Sequence, residues 1–539
     1  MKKRKTFFRS LALCLTLLMA IGIFASTAYA AITPETKGSI EISGVEDGVT
    51  VNAYKLMDVK VNENGQPQEP VYTWTSEVAS WVRTYYSSYI GADTDNSVQP
   101  AFNKDADDST IATFYDALAA AIKGGSPSIM PQTATSSNKS ATISDLPMGN
   151  YLILIENGMK VYRPSAVNLV PVWEDDEWVL NTAAVTVKAS EPTITKTVKA
   201  PGTTTGKEKD NANIGDTVTF DIVADIPQFP ANAAAKNYVI SDILPTGLTF
   251  TANSIQVWGV PTDASGSGSE TPISGSYTLS NSRPTGETGQ TDFTLTFDYT
   301  QIKTYQKVHI QYTATLNDKA VLGADGNFNT AYLDYNNNPY VATNWKTKTD
   351  SAIVYTYGLD ISKVDKENHT TFLSGAEFEL YASENDAENG TNKITFVQVE
   401  EGVYRRALAA ERGITTLTVD SREDTKGKLT LKGLDEGTWY LKETKAPDSY
   451  NLLASPVAVT ITDANNGELD GKVTVKNNDI DTGLVPLTVE NDNGFQLPVT
   501  GGIGTIMFTA VGMVLMCAAI VLIVVAFKVK KSAANAQNR

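Results

Sequence analysis

The C-terminal end of the chain combines a short motif, an apolar run and a basic tail in a fixed order. The pentapeptide Leu497-Pro498-Val499-Thr500-Gly501 precedes an uncharged run from Gly502 to Phe527, and Lys528, Lys530 and Lys531 follow it. The run exceeds the ~20 residues that a helix needs to cross a bilayer, and lysines after such a span favour the cytoplasmic side. We therefore expect a C-terminal membrane anchor, and the preceding residues must fold on the other side of the membrane.

The N-terminal end has the features of a secretion signal. Five basic side chains within the first nine residues precede an apolar stretch from Leu11 to Phe24. Ala28-Tyr29-Ala30 fits the small-x-small cleavage pattern, which predicts a signal peptide over 1–30 and cleavage between Ala30 and Ala31. Residues 31–500 are then left to fold outside the cell, which is enough for about three domains of ~150 residues.

Cysteine and histidine are too scarce for several kinds of site. The two cysteines, Cys14 and Cys517, both lie in the end segments, so the exterior part has no disulfide. His309 and His369 lie far apart in the sequence, which argues against Ser/His/Asp, Cys/His and His-rich zinc centres. The acidic and Asn-rich run 325–329 lacks the ligand spacing of a calcium loop. The sequence predicts no metal, no cofactor and no enzyme that turns over a substrate.

The exterior part is strongly acidic. Without the nine basic residues of the two end segments, the chain has 35 basic and 61 acidic residues, a net charge of −26. Such a surface favours solubility and repulsion between chains, and it argues against nucleic acid as a partner.

Period-two alternation of apolar residues dominates the sequence. Thr193–Val198, Phe293–Phe297 and Lys472–Val475 are examples, and Gly, Asn, Asp and Pro clusters separate such runs. Trp74–Tyr89 and Thr110–Ile122 instead have a helical pattern, within residues 72–123. The prediction is an all-β chain of tandem β-sandwich domains, with a helical insertion in the first.

Composition breaks near Ala189 and Ser351 suggest where the domains end. The predicted segments are a signal peptide 1–30, a first domain 31–188, a second 189–352, a third 353–496 and an anchoring segment 497–539. Residues 261–290, rich in Ser, Gly and Thr, are expected to form a long exposed loop of the second domain.

Strand alternation in the second domain turns three polar residues inward. Lys196 shares a face with Ile194 and Val198, and the same pattern puts Asp242 and Asn329 on the apolar faces of two later strands. Buried polar groups without partners are costly, so we expect the amine, carboxyl and carboxamide to meet. Burial lowers the pKa of a lysine and raises that of a carboxyl group, which favours attack of the amine on the amide and loss of ammonia.

The third domain repeats this trio of roles. Lys363 and Glu443 face inward on an early and a late strand, and Asn491 does so on the final strand. Asn477 competes with Asn491, which is favoured because it would lie beside the first strand of a closed sandwich. Two Lys–Asn isopeptide bonds are predicted, each tying the first and last strands of its domain together. The alternative is a pair of hydrogen-bonded structural triads without covalent bonds.

Several motifs resemble those of one family. In the second domain these are "TITKTV", "SDILPTGLTF" and "NTAYLDYNNNP", and in the third "DISKVD", "SGAEFELY" and "YLKETKAPDSYN". They are similar to the backbone (major) pilins of Gram-positive sortase-assembled pili. The resemblance implies immunoglobulin-like domains of the collagen-adhesin A type and B type, respectively. It also implies a Lys196–Asn329 bond assisted by Asp242, and a Lys363–Asn491 bond assisted by Glu443.

The first domain resembles the family only in general style. Its "GSIEISGVEDGVTVNAYKL" and "LPMGNYLILIENG" segments carry that similarity. Alternation turns Ile40 and Ile42 inward and Lys37 outward, so no equivalent bond is expected at Lys37.

The same resemblance implies covalent polymerisation. Leu497, Pro498, Thr500 and Gly501 match the sortase recognition pentapeptide, which is cut between Thr500 and Gly501 so that the threonyl carbonyl passes to an amine. The family's acceptor lysine lies at the end of the first domain, where this chain has Lys188 in Val185–Ser190, without the family's Tyr-Pro and Asn. Lys160, Lys207 and Lys209 are other candidates.

The implied partners are a class C sortase, other copies of the chain, minor pilins, and peptidoglycan through a housekeeping sortase; a host surface ligand is left open. The implied location is an extracellular pilus anchored to the cell wall, with the precursor held in the membrane. The alternative function is a monomeric wall-anchored adhesin or a minor pilin at the tip or base, which would share the sorting signal without a working acceptor lysine.

Overall fold

The computed structural model describes residues 32–63, 66–261, 269–284, 290–463, 468–475, 478–493 and 503–536. The described residues form two compact units, one ending at Thr356 and one starting at Tyr357, with residues 468–471 grouped with the first. The predicted Ala30–Ala31 cleavage site, the pentapeptide with Leu497, Pro498, Thr500 and Gly501, and the alternative Asn477 lie outside the described residues.

The first unit begins with a β-rich part interrupted by helices. Its elements are β1 (Lys37–Ser43), β2 (Thr50–Val61), β3 (Pro67–Trp74), α1 (Ser76–Tyr85), α2 (Pro100–Asn103), α3 (Asp108–Lys123), β4 (Gln132–Thr135), β5 (Ser140–Pro147), β6 (Gly149–Glu156), β7 (Val161–Tyr162), β8 (Ser165–Leu169), β9 (Val172–Glu174), β10 (Glu177–Val179), β11 (Ala183–Thr186) and β12 (Ala189–Ser190). One sheet has the order β11-β1-β5 and another β3-β2-β6-β8, with β4 on β2. Apolar residues at alternate positions, such as Ile40 and Ile42, are fully buried within this part.

The helices between β3 and β4 cover an aromatic cluster. Trp74, Phe102 and Phe114 lie 5.1–5.5 Å apart between ring centroids, and all three are buried. The N-terminus of α3 is capped by Asp107, whose carboxylate accepts a hydrogen bond from the Thr110 backbone N–H at 2.7 Å. These helices fall within residues 72–123, as the sequence predicts.

The rest of the first unit is a two-sheet structure. Its elements are β13 (Ile194–Lys199), β14 (Lys209–Asn211), β15 (Thr217–Asp225), β16 (Tyr238–Ile243), β17 (Leu248–Phe250), β18 (Gln256–Pro261), β19 (Thr271–Pro272), β20 (Tyr277–Ser282), β21 (Gln290–Phe297), α4 (Tyr299–Ile302), β22 (Tyr305–Leu316), β23 (Asn327–Asn336) and β24 (Trp345–Tyr355). One sheet runs β13-β15-β22-β18-β19 and the other β14-β24-β23-β16-β21-β20, with β17 paired to β22.

Specific side-chain contacts join the helical part of the first unit to this two-sheet part. The buried Asp116 carboxylate of α3 accepts hydrogen bonds from the Asn232 backbone N–H at 2.8 Å and the Tyr340 hydroxyl at 2.7 Å. Tyr335, at the end of β23, donates to the Met159 carbonyl, and Asn337 donates to the Gly158 carbonyl, both at 2.6 Å. Hydrogen bonds to a buried carboxylate are among the stronger ones, so these contacts favour a fixed arrangement of the two parts.

The second unit is built on two further sheets. Its elements are β25 (Tyr357–Asp365), β26 (Glu377–Tyr381), α5 (Glu384–Asn389), β27 (Phe396–Glu400), β28 (Val403–Arg406), β29 (Leu417–Thr418), β30 (Lys428–Leu434), β31 (Gly437–Lys445), β32 (Val457–Ile461), β33 (Val473–Val475), β34 (Asn478–Ile480), β35 (Leu484–Asn491) and α6 (Ile503–Ala536). The sheet orders are β27-β28-β30-β25-β35 and β29-β26-β31-β32. Its first and last strands, β25 and β35, pair in parallel, with Lys363 opposite Val489 and Asp365 opposite Asn491.

The C-terminal helix α6 contains a strongly apolar segment. Thr509–Lys530 has a mean hydropathy of 3.0 and is long enough to cross a membrane. It overlaps the apolar run that predicts the anchor.

The prediction of a mostly β chain with a helical insertion in its first part is confirmed, whereas the domain boundaries stay predictions. The expected long loop over 261–290 is partly wrong, because Tyr277–Ser282 forms β20 and pairs with β21. Five of its six residues are exposed, and Tyr277 and Leu279 are its two apolar residues, so the alternation is too short to identify a strand.

Candidate cross-linking sites

Three strands of the first unit bring Lys196, Asp242 and Asn329 together. Lys196 lies on β13 in one sheet, whereas Asp242 on β16 and Asn329 on β23 belong to neighbouring strands of the facing sheet. All three residues have 0% exposure. The strand alternation explains this placement, because their neighbours at two-residue spacing, such as Val198, Ile240 and Ala331, are buried apolar residues.

A tyrosine that the sequence analysis did not single out joins this group. Lys196 Nζ donates hydrogen bonds to the Asp242 carboxylate and, at 2.9 Å, to the Tyr312 hydroxyl. Asn329 Nδ2 donates to the same hydroxyl at 2.7 Å. The Tyr312 oxygen thus contacts both nitrogens that an isopeptide reaction would exchange.

Burial shifts the pKa values of the acid and the amine in the directions that isopeptide formation needs. It raises the pKa of Asp242 to about 6, against the opposing influence of Lys196 and Tyr312. It lowers the pKa of Lys196, although Asp242 acts in the opposite direction. Both shifts favour a neutral amine beside a protonated acid.

Two oxygens at this site lack the partners that buried acceptors normally have. Within the described part of the chain, neither Asp242 Oδ1 nor Asn329 Oδ1 has a hydrogen-bond partner. A proton on Asp242 would supply a donor among these acceptors. The Phe220 ring, whose centroid lies 5.2 Å from Lys196 Nζ, forms one wall of the site.

The second unit brings together the other predicted trio. Lys363, Glu443 and Asn491 are 0%, 3% and 1% exposed. Lys363 Nζ lies 3.9 Å from Glu443 Oε1 and donates a hydrogen bond to the Val489 carbonyl at 3.0 Å. Asn491 Nδ2 donates to Glu443 Oε2 at 2.9 Å. Here the acid itself contacts the amide nitrogen.

The pKa of the lysine at this second site shifts in the same direction as that of Lys196. Burial lowers the pKa of Lys363 to about 8, with Glu443 and Glu490 acting in the opposite direction. Glu443 Oε1 and Asn491 Oδ1 have no hydrogen-bond partner among the described residues. The Asn451 carbonyl also accepts from Asn491 Nδ2, so the amide is held from two sides.

Lys188 lies on the surface between β11 and β12. Its neighbours Val185 and Val187 are buried, and its own side chain is exposed, as alternation predicts. The backbone around it is fixed by hydrogen bonds from the Val187 N–H to the Ser43 carbonyl and from the Arg163 N–H to the Lys188 carbonyl.

The side chains of the other acceptor candidates are engaged in ion pairs or partly buried. Lys160 Nζ forms an ion pair with Glu191 at 3.0 Å, and Lys207 Nζ lies 3.7 Å from Asp210. Lys209 is half-buried within β14. Within the described residues, no hydrogen bond or ion pair engages Lys188 Nζ. Lys37 is exposed, as expected for a lysine that forms no buried cross-link.

One structural expectation needs correction. The predicted bonds were expected to join the first and last strands of each domain, but Asn329 lies on β23 and the chain continues into β24. Only in the second unit do the lysine and the asparagine lie on its first strand and its last, β25 and β35.

The sequence contained a signal for Tyr312 but none for Asn451. Tyr312 lies on the inward face of β22 with Ile310 and Ala314, so alternation together with the need of a buried hydroxyl for a partner could have found it. Asn451 acts through its backbone carbonyl, which every residue type has.

Comparison with known proteins agrees with this architecture. Residues 214–339 match the family model for the Gram-positive pilin backbone subunit 2, Cna-B-like domain, and residues 358–479 match the SpaA prealbumin-like fold domain. The Trypsin-resistant surface T6 protein of Streptococcus pyogenes serotype M6 is 25% identical, over 94% of this chain and 98% of that protein.

Solved structures of backbone pilins are similar as well. The T6 backbone pilin of serotype M6 Streptococcus pyogenes matches with a TM-score of 0.55 and 19% identity, covering 86% of this chain and 99% of that one. The major pilin SpaD of Corynebacterium diphtheriae matches with a TM-score of 0.46 and 19% identity over 86% and 99%. The chain has the fold and the domain types of backbone pilins. We identify it as a homologue of the Gram-positive backbone pilins.

Proposed function

We propose that the chain is the shaft subunit of a covalently polymerised cell-surface pilus. A sortase joins Thr500 of one subunit to Lys188 of the next, and Lys–Asn isopeptide bonds stiffen each subunit internally. The observation that carries the proposal is that each of two units buries a lysine, a carboxyl group and an asparagine close together. The sequence of the same chain also contains a sorting signal.

The internal reaction conserves atoms in a simple way. The lysine Nζ bonds to the asparagine Cγ, the Cγ–Nδ2 bond breaks, and one ammonia leaves. The neutral amine supplies the electron pair, and in the first unit the protonated Asp242 donates a hydrogen bond to the amide oxygen on which negative charge develops. Each unit reacts once with itself, so this is self-directed chemistry and no substrate is turned over.

The link between subunits needs an accessible amine. Cleavage of the Thr500–Gly501 peptide bond transfers the threonyl carbonyl to the sortase as a thioester, and an amine of another subunit then displaces the enzyme. Lys188 suits that role because its side chain is exposed while its backbone is held on both sides. Class C sortase, minor pilins and peptidoglycan are the partners of this proposal, and the surface of the bacterial cell wall is its location.

The two internal bonds would protect their units differently against tension. In the second unit, a Lys363–Asn491 bond joins the first strand to the last, so force would bypass the chain between them. In the first unit, a Lys196–Asn329 bond leaves β24 in the path of force, held to β23 by its ladder of main-chain hydrogen bonds. The β23–β24 pair is therefore an element of the proposed shaft that carries tension without a covalent bypass.

An immunoblot of boiled, SDS-treated cell-wall extract tests polymerisation. Cells with the native chain should give a ladder of high-mass bands, and cells with Lys188→Ala should give a single band, since the nucleophile is lost. Lys104→Ala provides a matched control, because it also removes an exposed lysine of the first unit. Thr500→Ala should abolish the ladder independently of the acceptor.

The other outcomes have distinct meanings. A ladder that survives Lys188→Ala but not Thr500→Ala would keep the shaft function and move the acceptor to Lys160, Lys207 or Lys209. A single band for the native chain would contradict the shaft function and favour the monomeric adhesin or a minor pilin.

A further inference from the structure

The Tyr312 hydroxyl occupies a distinctive position among the groups of the first site. It accepts hydrogen bonds from Lys196 Nζ at 2.9 Å and from Asn329 Nδ2 at 2.7 Å. Its ring is fully buried and packs against Phe220 and Phe293, with centroid distances of 5.4 Å and 4.9 Å. The hydroxyl is thus held in place between the nucleophile and the leaving group.

We propose that Tyr312 is a catalytic residue of Lys196–Asn329 bond formation, in which its hydroxyl passes a proton from the lysine nitrogen to the departing amide nitrogen. This inference rests on the proposed isopeptide chemistry and adds a role that the paired acid alone does not fill. Tyr312 contacts both reacting nitrogens, so it acts on them directly and not through another residue.

The proton balance of the reaction requires such a transfer. As the Nζ–Cγ bond forms, Nζ acquires positive charge and must lose one proton, and Nδ2 must gain one to leave as ammonia. An amide nitrogen is a poor base while its lone pair is conjugated with the carbonyl, but it becomes basic once Cγ is tetrahedral. Tyr312 then gives its own proton to Nδ2 and takes one from Nζ, so the tyrosine is regenerated.

This division of labour leaves Oδ1 of Asp242 available for the carbonyl, while the same carboxyl group also interacts with the Tyr312 hydroxyl. The neutral Lys196 amine has two hydrogens, which its contacts with Asp242 and Tyr312 use, so its lone pair stays available for attack. Asp242 Oδ1 has no partner among the described residues and can carry the proton that polarises the similarly unpartnered Asn329 Oδ1. One acid is not required to serve the oxygen and both nitrogens.

The second unit provides an internal contrast. There Glu443 Oε2 contacts Asn491 Nδ2 directly at 2.9 Å, and Lys363 Nζ lies 3.9 Å from the other oxygen of the same carboxyl group. The carboxyl group itself spans the two nitrogens. We therefore expect bond formation in the second unit to be independent of Tyr312.

The test compares rates of bond formation in the full chain. The chain is isolated unfolded, refolded by dilution into detergent-containing buffer, quenched at intervals and digested, and both cross-linked peptides are quantified by mass spectrometry against the zero-time sample. Tyr312→Phe should slow Lys196–Asn329 formation by at least about a hundredfold, the lower range for general acid–base catalysis. Lys363–Asn491 formation in the same molecules should keep its native rate.

Tyr238→Phe is the matched control. It removes another fully buried tyrosine hydroxyl from the same unit, one that donates to the Ala224 carbonyl at 3.2 Å. This variant should form the Lys196–Asn329 bond at close to the native rate. An equal slowing in both variants would overturn the relay, since it would indicate a general effect of lost buried hydroxyls on folding.

A second measurement covers the case in which Tyr312→Phe fails to fold. Native chain refolded in heavy water should form the Lys196–Asn329 bond more slowly, while tryptophan fluorescence shows no comparable delay in folding. Absence of a solvent isotope effect, or a native rate in folded Tyr312→Phe, would overturn the relay while the cross-link itself stands. Absence of both linked peptides from the native chain would instead refute the isopeptide chemistry.

Discussion

Asp242→Ala is expected to leave Lys196 and Asn329 unlinked and to lower the free energy of unfolding of the first unit by about 3 kcal/mol or more. A missing cross-link costs ~2–4 kcal/mol by analogy with disulfides. Removal of one partner of a buried pair adds its own penalty, of the order of 3–5 kcal/mol for an uncompensated charge. Because Lys196 has 0% exposure, its amine can avoid that penalty mainly by losing its proton.

Peptide mapping and thermal unfolding of the full chain would measure both consequences. The Lys196–Asn329 peptide of the native chain should be lighter than its unlinked counterparts by one ammonia, and that species should be absent from Asp242→Ala. Asn329→Ala separates the two contributions, since it also prevents the bond but keeps the contact between Lys196 and Asp242. A linked peptide in Asp242→Ala would show that the acid is dispensable.

Formation of the Lys363–Asn491 bond is expected to depend steeply on pH. Only the neutral amine is a nucleophile, and burial lowers the pKa of Lys363 to about 8. The rate should therefore rise about tenfold per pH unit below 8 and level off above it. Between pH 6 and that plateau the difference is roughly a hundredfold, because the neutral fraction two units below the pKa is about one in a hundred.

The same refolding and digestion experiment, performed from pH 6 to pH 9, would give this profile. Glu490→Gln is a useful comparison, because the exposed Glu490 acts to raise the pKa of Lys363. Its removal should move the rising limb to lower pH without removing any group in contact with the reacting atoms. A rate that stays flat between pH 6 and pH 9 would contradict attack by an amine that is mostly protonated in the folded chain.

Strand alternation was a good guide to which polar side chains point inward. Lys196, Asp242 and Asn329 each lie two residues from buried apolar neighbours, and a period of two places all such residues on one face. The same argument located Lys363 and Asn491. It failed for β20, because Tyr277 and Leu279 are the two apolar residues of that exposed edge strand, and two alternating residues are too few to identify a strand.

Other features depend on how separate strands meet. Tyr312 and Lys196 are far apart in the sequence, and only the pairing of β13 and β22 with β15 brings them to the same sheet. The contact of Asn491 with the Asn451 carbonyl depends on the path of the backbone. Asn329 lies on β23, and one more strand, β24, follows it in the first unit. The sequence analysis missed this because an alternation pattern does not state which strands become neighbours.

The sequence by itself determined the strand-rich class, the inward direction of both lysine–acid–asparagine sets and the order of motif, apolar run and basic tail at the C-terminus. These are local properties, because they depend on residue spacing and on lengths compared with a strand period or a bilayer. Only the tertiary structure decided that Tyr312 bridges Lys196 and Asn329 in one unit, whereas Glu443 takes the corresponding place in the other. The physical reason is that hydrogen bonds and desolvation act between atoms a few ångströms apart, and residues distant in sequence reach such distances only when the sheets pack.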